Sequence, residues 1–264
     1  MIELNKIYNK NCIFGLKDID NDSVDLVVTS PPYDGMRQYD GSGKEFDWNV
    51  FLTTVKELYR VTKRGGVCVW VIGDQTKNGS ETGTSFRQAL EFVNCGFNLN
   101  DTMIWLKKNP MPAVKQPRYS QVFEYMFVFS KGKPKTFNPI MVPTKCGGQI
   151  YNSTCKNIDG ESGRVHKTFA INKEKVHGNV FEIAVAQNKG VEKHPAVFPE
   201  KLVDIHIETW SNEGDLVLDP FIGSGTTAIS AIKHKRNYIG FDVNEDYCRM
   251  ATNRINEFVK ESEN

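Results

Sequence analysis

The segment that most constrains this chain lies close to its end. Leu216 to Asp219 is a short apolar run that enters Pro220-Phe221-Ile222-Gly223-Ser224-Gly225-Thr226-Thr227-Ala228, and Tyr238 to Asp242 is a second apolar run ending in an acid. Strand, glycine turn, helix and strand in that order make a mononucleotide-binding unit. The glycines let a ligand approach the main chain, and the terminal acid accepts hydrogen bonds from ribose hydroxyls. Only 39 residues follow Gly225, too few for the further mononucleotide units that a dinucleotide fold sets after its fingerprint. The remaining strands must come from earlier sequence. That argues against a nicotinamide-dependent oxidoreductase and for another adenosine-containing ligand.

Earlier sequence supplies them. Ser23 to Thr29 (SVDLVVT) reads as a buried strand stopped by Ser30-Pro31-Pro32-Tyr33, because two prolines in series neither continue a ladder nor enter a helix interior. A glycine-containing loop follows, then Trp48 to Val61 repeats apolar positions at helical spacing. Gly65-Gly66 is expected to end that helix, and Val67 to Ile72 is a second continuous apolar strand. Helices are expected at Ser85 to Cys95, Pro199 to Trp210, Thr226 to His234 and Glu245 to Val259, and a strand pair near one edge at Phe97 to Leu106 and Gln121 to Ser130. The fold class is α/β, a Rossmann-like doubly wound, mostly parallel sheet. From Lys131 to Val180 no period is sustained. Residues 1–130 and 181–264 are therefore read as two parts of one domain, interrupted by an irregular insertion at 131–180.

The formal net charge of +1 hides an asymmetry. Between Met103 and Lys175 stand 13 Lys+Arg and 4 Asp+Glu, so the remainder carries 20 and 28. A basic segment on an acidic body suits a polyanion, since phosphate neutralisation depends on local charge. Lys107, Lys108, Lys115, Arg118, Lys131, Lys133 and Lys135 are the candidate phosphate contacts; they would position a duplex without reading its sequence. The six cysteines include no CxxC and the five histidines show no ligand spacing, so neither disulfides nor a metal site is expected. Lys6, Lys10 and Lys17 interrupt the first residues and no long uncharged apolar run occurs, which predicts a cytoplasmic protein without membrane contact.

Thr29-Ser30-Pro31-Pro32-Tyr33 and Asp219-Pro220-Phe221-Ile222-Gly223-Ser224-Gly225-Thr226-Thr227 together resemble the catalytic and cofactor motifs of the S-adenosylmethionine-dependent DNA amino-methyltransferases. Their order, catalytic motif first and cofactor motif last around a target-recognition region, resembles the beta arrangement of that family. The resemblance spans nearly the whole chain. It implies the methyltransferase fold with permuted motif order, S-adenosylmethionine as cofactor with S-adenosylhomocysteine as product, and double-stranded DNA as substrate. It further implies a monomer or homodimer, with a cognate restriction endonuclease as functional partner. Carried onto this sequence, Asp219, Phe221, Gly223, Ser224, Gly225 and Thr226 contact the cofactor, Asp242 holds its ribose, and His194, Ala196 and Phe198 close over its methionine part. Asn11-Cys12 stands where the family often has Asp-Cys near the adenine pocket.

The chemistry accounts for the early motif. An exocyclic amine on cytosine or adenine has its lone pair conjugated into the ring, so it is a poor nucleophile until acceptors hold its hydrogens and favour a pyramidal nitrogen. Ser30 offers a hydroxyl acceptor. Pro31 offers a carbonyl without a competing N–H, and Pro32 stiffens the turn. Tyr33 provides a face on which a base removed from the duplex can stack, and Asp34 a second acceptor or a stabiliser of the transient cation. The serine form of the cradle is associated in the family with N4-cytosine methylation, which is the expected reaction. N6-adenine methylation is the direct alternative, and a noncatalytic nucleic-acid-binding module on the same fold is a third.

Overall fold

The computed structural model describes residues 2–32, 46–110, 117–156, 164–185 and 198–262. In chain order the elements are β1 (Lys6–Asn9), α1 (Cys12–Lys17), β2 (Val24–Thr29), α2 (Trp48–Val61), β3 (Thr62–Ile72), β4 (Thr76–Lys77), β5 (Ser80–Glu81), α3 (Thr84–Cys95), β6 (Asn98–Lys107) and β7 (Phe123–Ser130). Then come β8 (Met141–Pro143), β9 (Ile150–Lys156), β10 (Arg164–Ala170), β11 (Glu174–Val176), β12 (Val180–Ile183), α4 (Glu200–Trp210), β13 (Leu216–Asp219), α5 (Thr226–Lys233), β14 (Asn237–Asp242) and α6 (Glu245–Ser262). They fall into a larger unit, Met1–Asn138 with Asn179–Asn264, and a smaller one, Pro139–Gly178.

The larger unit is built on a sheet with strand order β1-β14-β13-β2-β3-β7-β6-β12. The first five run parallel, β7 runs antiparallel to both its neighbours, and β12 lies parallel to β6. Helices α1, α2 and α3 pack together on one face and α4, α5 and α6 on the other, which is why the central strands are apolar on both sides. Phe51, Leu58, Trp70, Phe92 and Phe129 fill the space under the first helix layer with at most 1% of their surface exposed, and Phe92 stacks on Phe129 at 4.3 Å. The doubly wound α/β architecture read from the sequence is the architecture of this unit.

Three details differ from the reading. Gly65 and Gly66 do not end α2: the helix stops at Val61, and the glycines sit inside β3 where its register with β2 shifts. Gly65 takes φ +82, a bulge conformation that L side chains resist. The edge strands β1 and β12 escape a periodicity argument because each has four residues. The stretch 131–180 is not irregular throughout. Lys131 to Asn138 belongs to the larger unit. In the smaller unit β8 pairs with β11 and β9 with β10, both antiparallel. Alternation is illegible there because Ile150, Tyr151 and Phe169 remain 73, 53 and 49% exposed.

Candidate active site

The two motifs meet because their strands are neighbours. β13 and β2 lie side by side and parallel, pairing Val217 with Leu26 and Leu218 with Val27, so Asp219 and Thr29 end at the same edge of the sheet. There the Thr29 hydroxyl donates to Asp219 Oδ1 at 2.6 Å, a fully buried bond between residues 190 positions apart. Ser30 and Pro32 are half-buried and Pro31 is buried, so the proline turn leaves the sheet directly beside the glycine turn. The carboxyl edge of an open α/β sheet is where ligands bind.

A set of main-chain and side-chain hydrogen bonds fixes the glycine turn. Asp219 accepts from the Phe221 N–H at 3.0 Å and, through Oδ2, from the Thr227 hydroxyl at 2.7 Å. Gly225 N–H donates to the Ile222 carbonyl at 2.9 Å, and Ile222 N–H to the Phe241 carbonyl at 2.9 Å. Gly223 and Gly225 take φ of +50 and +83, and Gly225 caps α5. Asp242 accepts from Gly223 N–H at 3.1 Å and from Asn244 N–H at 2.8 Å, tying the turn to the end of β14. Arg254 reaches across from α6 to the Ser224 carbonyl. The Phe221 ring stands half-buried, edge-on to Phe46 at 5.1 Å and to Trp70 at 6.2 Å.

Burial pushes the Asp219 carboxyl up to about 6, although its donors Thr29, Thr227 and Phe221 pull the other way. Burial likewise raises Asp242 against its main-chain donors. Because Asp219 binds its proton more tightly folded than unfolded, its contribution to stability is full below about pH 4 and is lost as pH rises through about 6. Asp219→Asn removes that dependence. Melting curves across this range are expected to show wild type losing ground to the variant as pH rises; a constant difference would mean that burial does not hold the carboxyl up.

A DNA methylase family model (N6_N4_Mtase) matches residues 24–253. The chain belongs to the DNA methylases. The orphan methyltransferase M.BamHII of Bacillus amyloliquefaciens is 46% identical over 252 residues, covering 92% of this chain and 92% of that protein. PvuII DNA methyltransferase (cytosine-N4-specific) superposes with a TM-score of 0.70 at 20% identity, over 96% of this chain and 90% of that one. An M1.HpyAVI-SAM complex superposes with a TM-score of 0.63 at 23% identity, over 95% and 98%. The family is the S-adenosylmethionine-dependent DNA amino-methyltransferases that the two motifs resemble.

In this DNA methylase Ser30, Pro31, Pro32, Phe221, Gly223, Ser224, Gly225, Thr226 and Asp242 gather at one edge. Asp219 lies there too, 3% exposed, with three donors of the chain on its oxygens. Phe198 stands half-buried just ahead of α4. Tyr33, Asp34, Lys115, His194 and Ala196 lie outside the described residues. Asn11 caps α1 by accepting from Ile13 N–H at 3.0 Å, and burial pushes the Cys12 thiol up to about 11.

The cationic candidates separate by strand direction. Lys107, Lys108 and Arg118 lie at the carboxyl end of β6 or ahead of β7, on the active-site edge, whereas Lys131, Lys133 and Lys135 follow β7 at the opposite edge. Lys131 is corrected to a structural cation: its ammonium donates to Asp22 at 2.8 Å and to the Tyr59 and Thr62 carbonyls at 2.7 and 2.9 Å. Lys107 pairs with Glu124 at 2.6 Å and Arg118 with Glu81, while Lys108 is exposed. Thr29, Thr227 and Arg254, which hold the two turns, were not among the expected residues. The available signal was Thr29 itself, the one hydroxyl in a strand otherwise of aspartate, leucine and valines. Among the described residues no cluster of three or more His, Cys, Asp or Glu could hold a metal, and no helix is long and apolar enough to cross a membrane.

Proposed function

We propose that this DNA methylase transfers a methyl group from S-adenosylmethionine to the exocyclic N4 amine of a cytosine flipped out of double-stranded DNA. The observation that carries this reading is the buried Thr29 to Asp219 bond, which sets the Ser30-Pro31-Pro32 turn against the glycine turn. The residues fit the cofactor: the Asp242 carboxylate has acceptor capacity for ribose hydroxyls beyond the main-chain bonds it accepts, and the half-buried Phe221 offers an apolar face. Bound S-adenosylmethionine supplies an electrophilic methyl group on a sulfonium. The chain's own residues make the amine a nucleophile. The Ser30 hydroxyl and the Pro31 carbonyl accept its hydrogens and draw its lone pair out of conjugation, while Tyr33 stacks on the extruded base. The proton of the methylated nitrogen, now strongly acidic, passes to water or to Asp34, so positioning carries most of the rate.

The serine cradle favours cytosine by family association, and the likeness in fold to the cytosine-N4-specific PvuII DNA methyltransferase supports it. Pro139–Gly178, with Lys145, Lys173 and Lys175, is the proposed target-recognition unit, and Lys108 a phosphate contact. A cognate restriction endonuclease would make the modification protective. The deciding experiment incubates the protein with unmethylated DNA and labelled S-adenosylmethionine, digests to nucleosides and identifies the product by mass spectrometry. N4-methylcytosine is expected. N6-methyladenine would retain the cradle mechanism and overturn the base assignment, and no methylated nucleoside despite cofactor binding would leave the noncatalytic module.

A further inference from the structure

Asp219 presents a chemical oddity. A carboxylate buried to 3% exposure is costly unless it is paired with a cation or satisfied by donors, and none of the ion pairs of the described residues includes it. Its donors are a hydroxyl from β2, a main-chain N–H from the glycine turn and a hydroxyl from the first turn of α5. One anion therefore gathers three separate pieces of the active-site edge. Hydrogen bonds to a charged acceptor are roughly twice as strong as neutral ones, and inside the protein they are not screened by water.

The Thr29 bond crosses from one motif to the other. Phe221 and Thr227 belong to the cofactor motif, as Asp219 does, and would hold the glycine turn without β2. Thr29 belongs to the strand that delivers Ser30, and it is the last residue before the acceptor turn. Its neighbours Leu26, Val27 and Val28 are fully buried and apolar. Valine would fill the same volume at position 29, so packing does not require the hydroxyl.

We infer that Thr29 is a positioning residue, whose bond to Asp219 fixes the distance between the base-holding turn and the cofactor-holding turn. The inference rests on the methyltransferase reading. It assigns Asp219 a mechanical part in place of direct cofactor contact. In the absence of this bond both turns persist, each anchored in its own strand, but their spacing loosens at the point where methyl donor and amine must align. Alignment errors of this kind are felt in turnover more than in binding.

The test compares Thr29→Val, which keeps the shape and removes the hydroxyl, with Thr29→Ser, which keeps the hydroxyl. Thr29→Val is expected to lower single-turnover methylation about tenfold, with the cofactor dissociation constant near wild type and a lowered melting temperature from the donor lost at buried Asp219. Its acid limb should move to higher pH, because Asp219 loses a donor that favours its ionised form. Thr29→Ser is expected to restore both. A wild-type rate and pH profile in Thr29→Val would overturn the inference. Carboxyl-carbon NMR on isotopically labelled protein supplies a readout independent of activity: the Asp219 titration must shift upward in Thr29→Val and not in Thr29→Ser. If wild type yields no methylated nucleoside, the functional reading fails; an unmoved Asp219 titration defeats the inference separately.

Discussion

Ser30→Ala is expected to lower turnover by about 100-fold, the loss typical when one preorganised polar group is removed from an active site. The cradle holds few acceptors. Pro31 contributes a carbonyl and no donor, and its buried ring fixes where that carbonyl lies. Ser30 contributes the only side-chain acceptor among the described residues of the turn, 30–32. Without it the amine keeps one hydrogen unheld and its lone pair stays in the ring. Cofactor affinity should remain near the wild-type value, because Asp219, Phe241, Asp242 and Arg254 supply bonds that shape the glycine turn. Rapid-quench kinetics beside calorimetry separates the two quantities. Unchanged turnover would remove Ser30 from the chemistry, and a parallel loss of cofactor binding would show that the turn had collapsed.

The sequence carried the site further than it carried the surroundings. Helix α2 and strand β13 appear in the structure with the bounds their patterns imply, Trp48–Val61 and Leu216–Asp219. One is a long amphipathic period and the other is punctuated by a proline and glycines, and both signals are local. The direction of β7 is not local. The sequence pattern reads Gln121 to Ser130 as a strand, but only pairing with β3 decides which edge receives the lysines that follow it. The antiparallel choice carries Lys131, Lys133 and Lys135 away from the active site, so a charge count that treats 103–175 as one basic surface merges two edges. The Thr29 to Asp219 bond is hidden for the same reason. A hydrogen bond across 190 positions leaves no periodic trace, only a threonine where another valine would serve.

The largest structural penalty is expected at Gly225, where two independent costs coincide. Its φ of +83 lies in the left-handed region, which costs an L residue about 1 to 2 kcal/mol and a β-branched one more. A Cβ built there would also stand 2.9 Å from the Ala251 Cβ and 3.2 Å from its Cα, so helix α6 would have to retreat, at about 1 to 3 kcal/mol. Gly225→Val should therefore destabilise the protein by about 3 to 5 kcal/mol, with cofactor binding lost as α6 and the Arg254 contact to the Ser224 carbonyl shift together. Gly214 is the control. It has nearly the same φ, +86, with nothing within 4 Å of a built Cβ, so Gly214→Val incurs the conformational cost alone. Urea unfolding of the two variants isolates the contact with α6 as their difference. If both lose the same stability, Ala251 yields freely, and the close approach of α6 to the glycine turn does not hold the cofactor motif in shape.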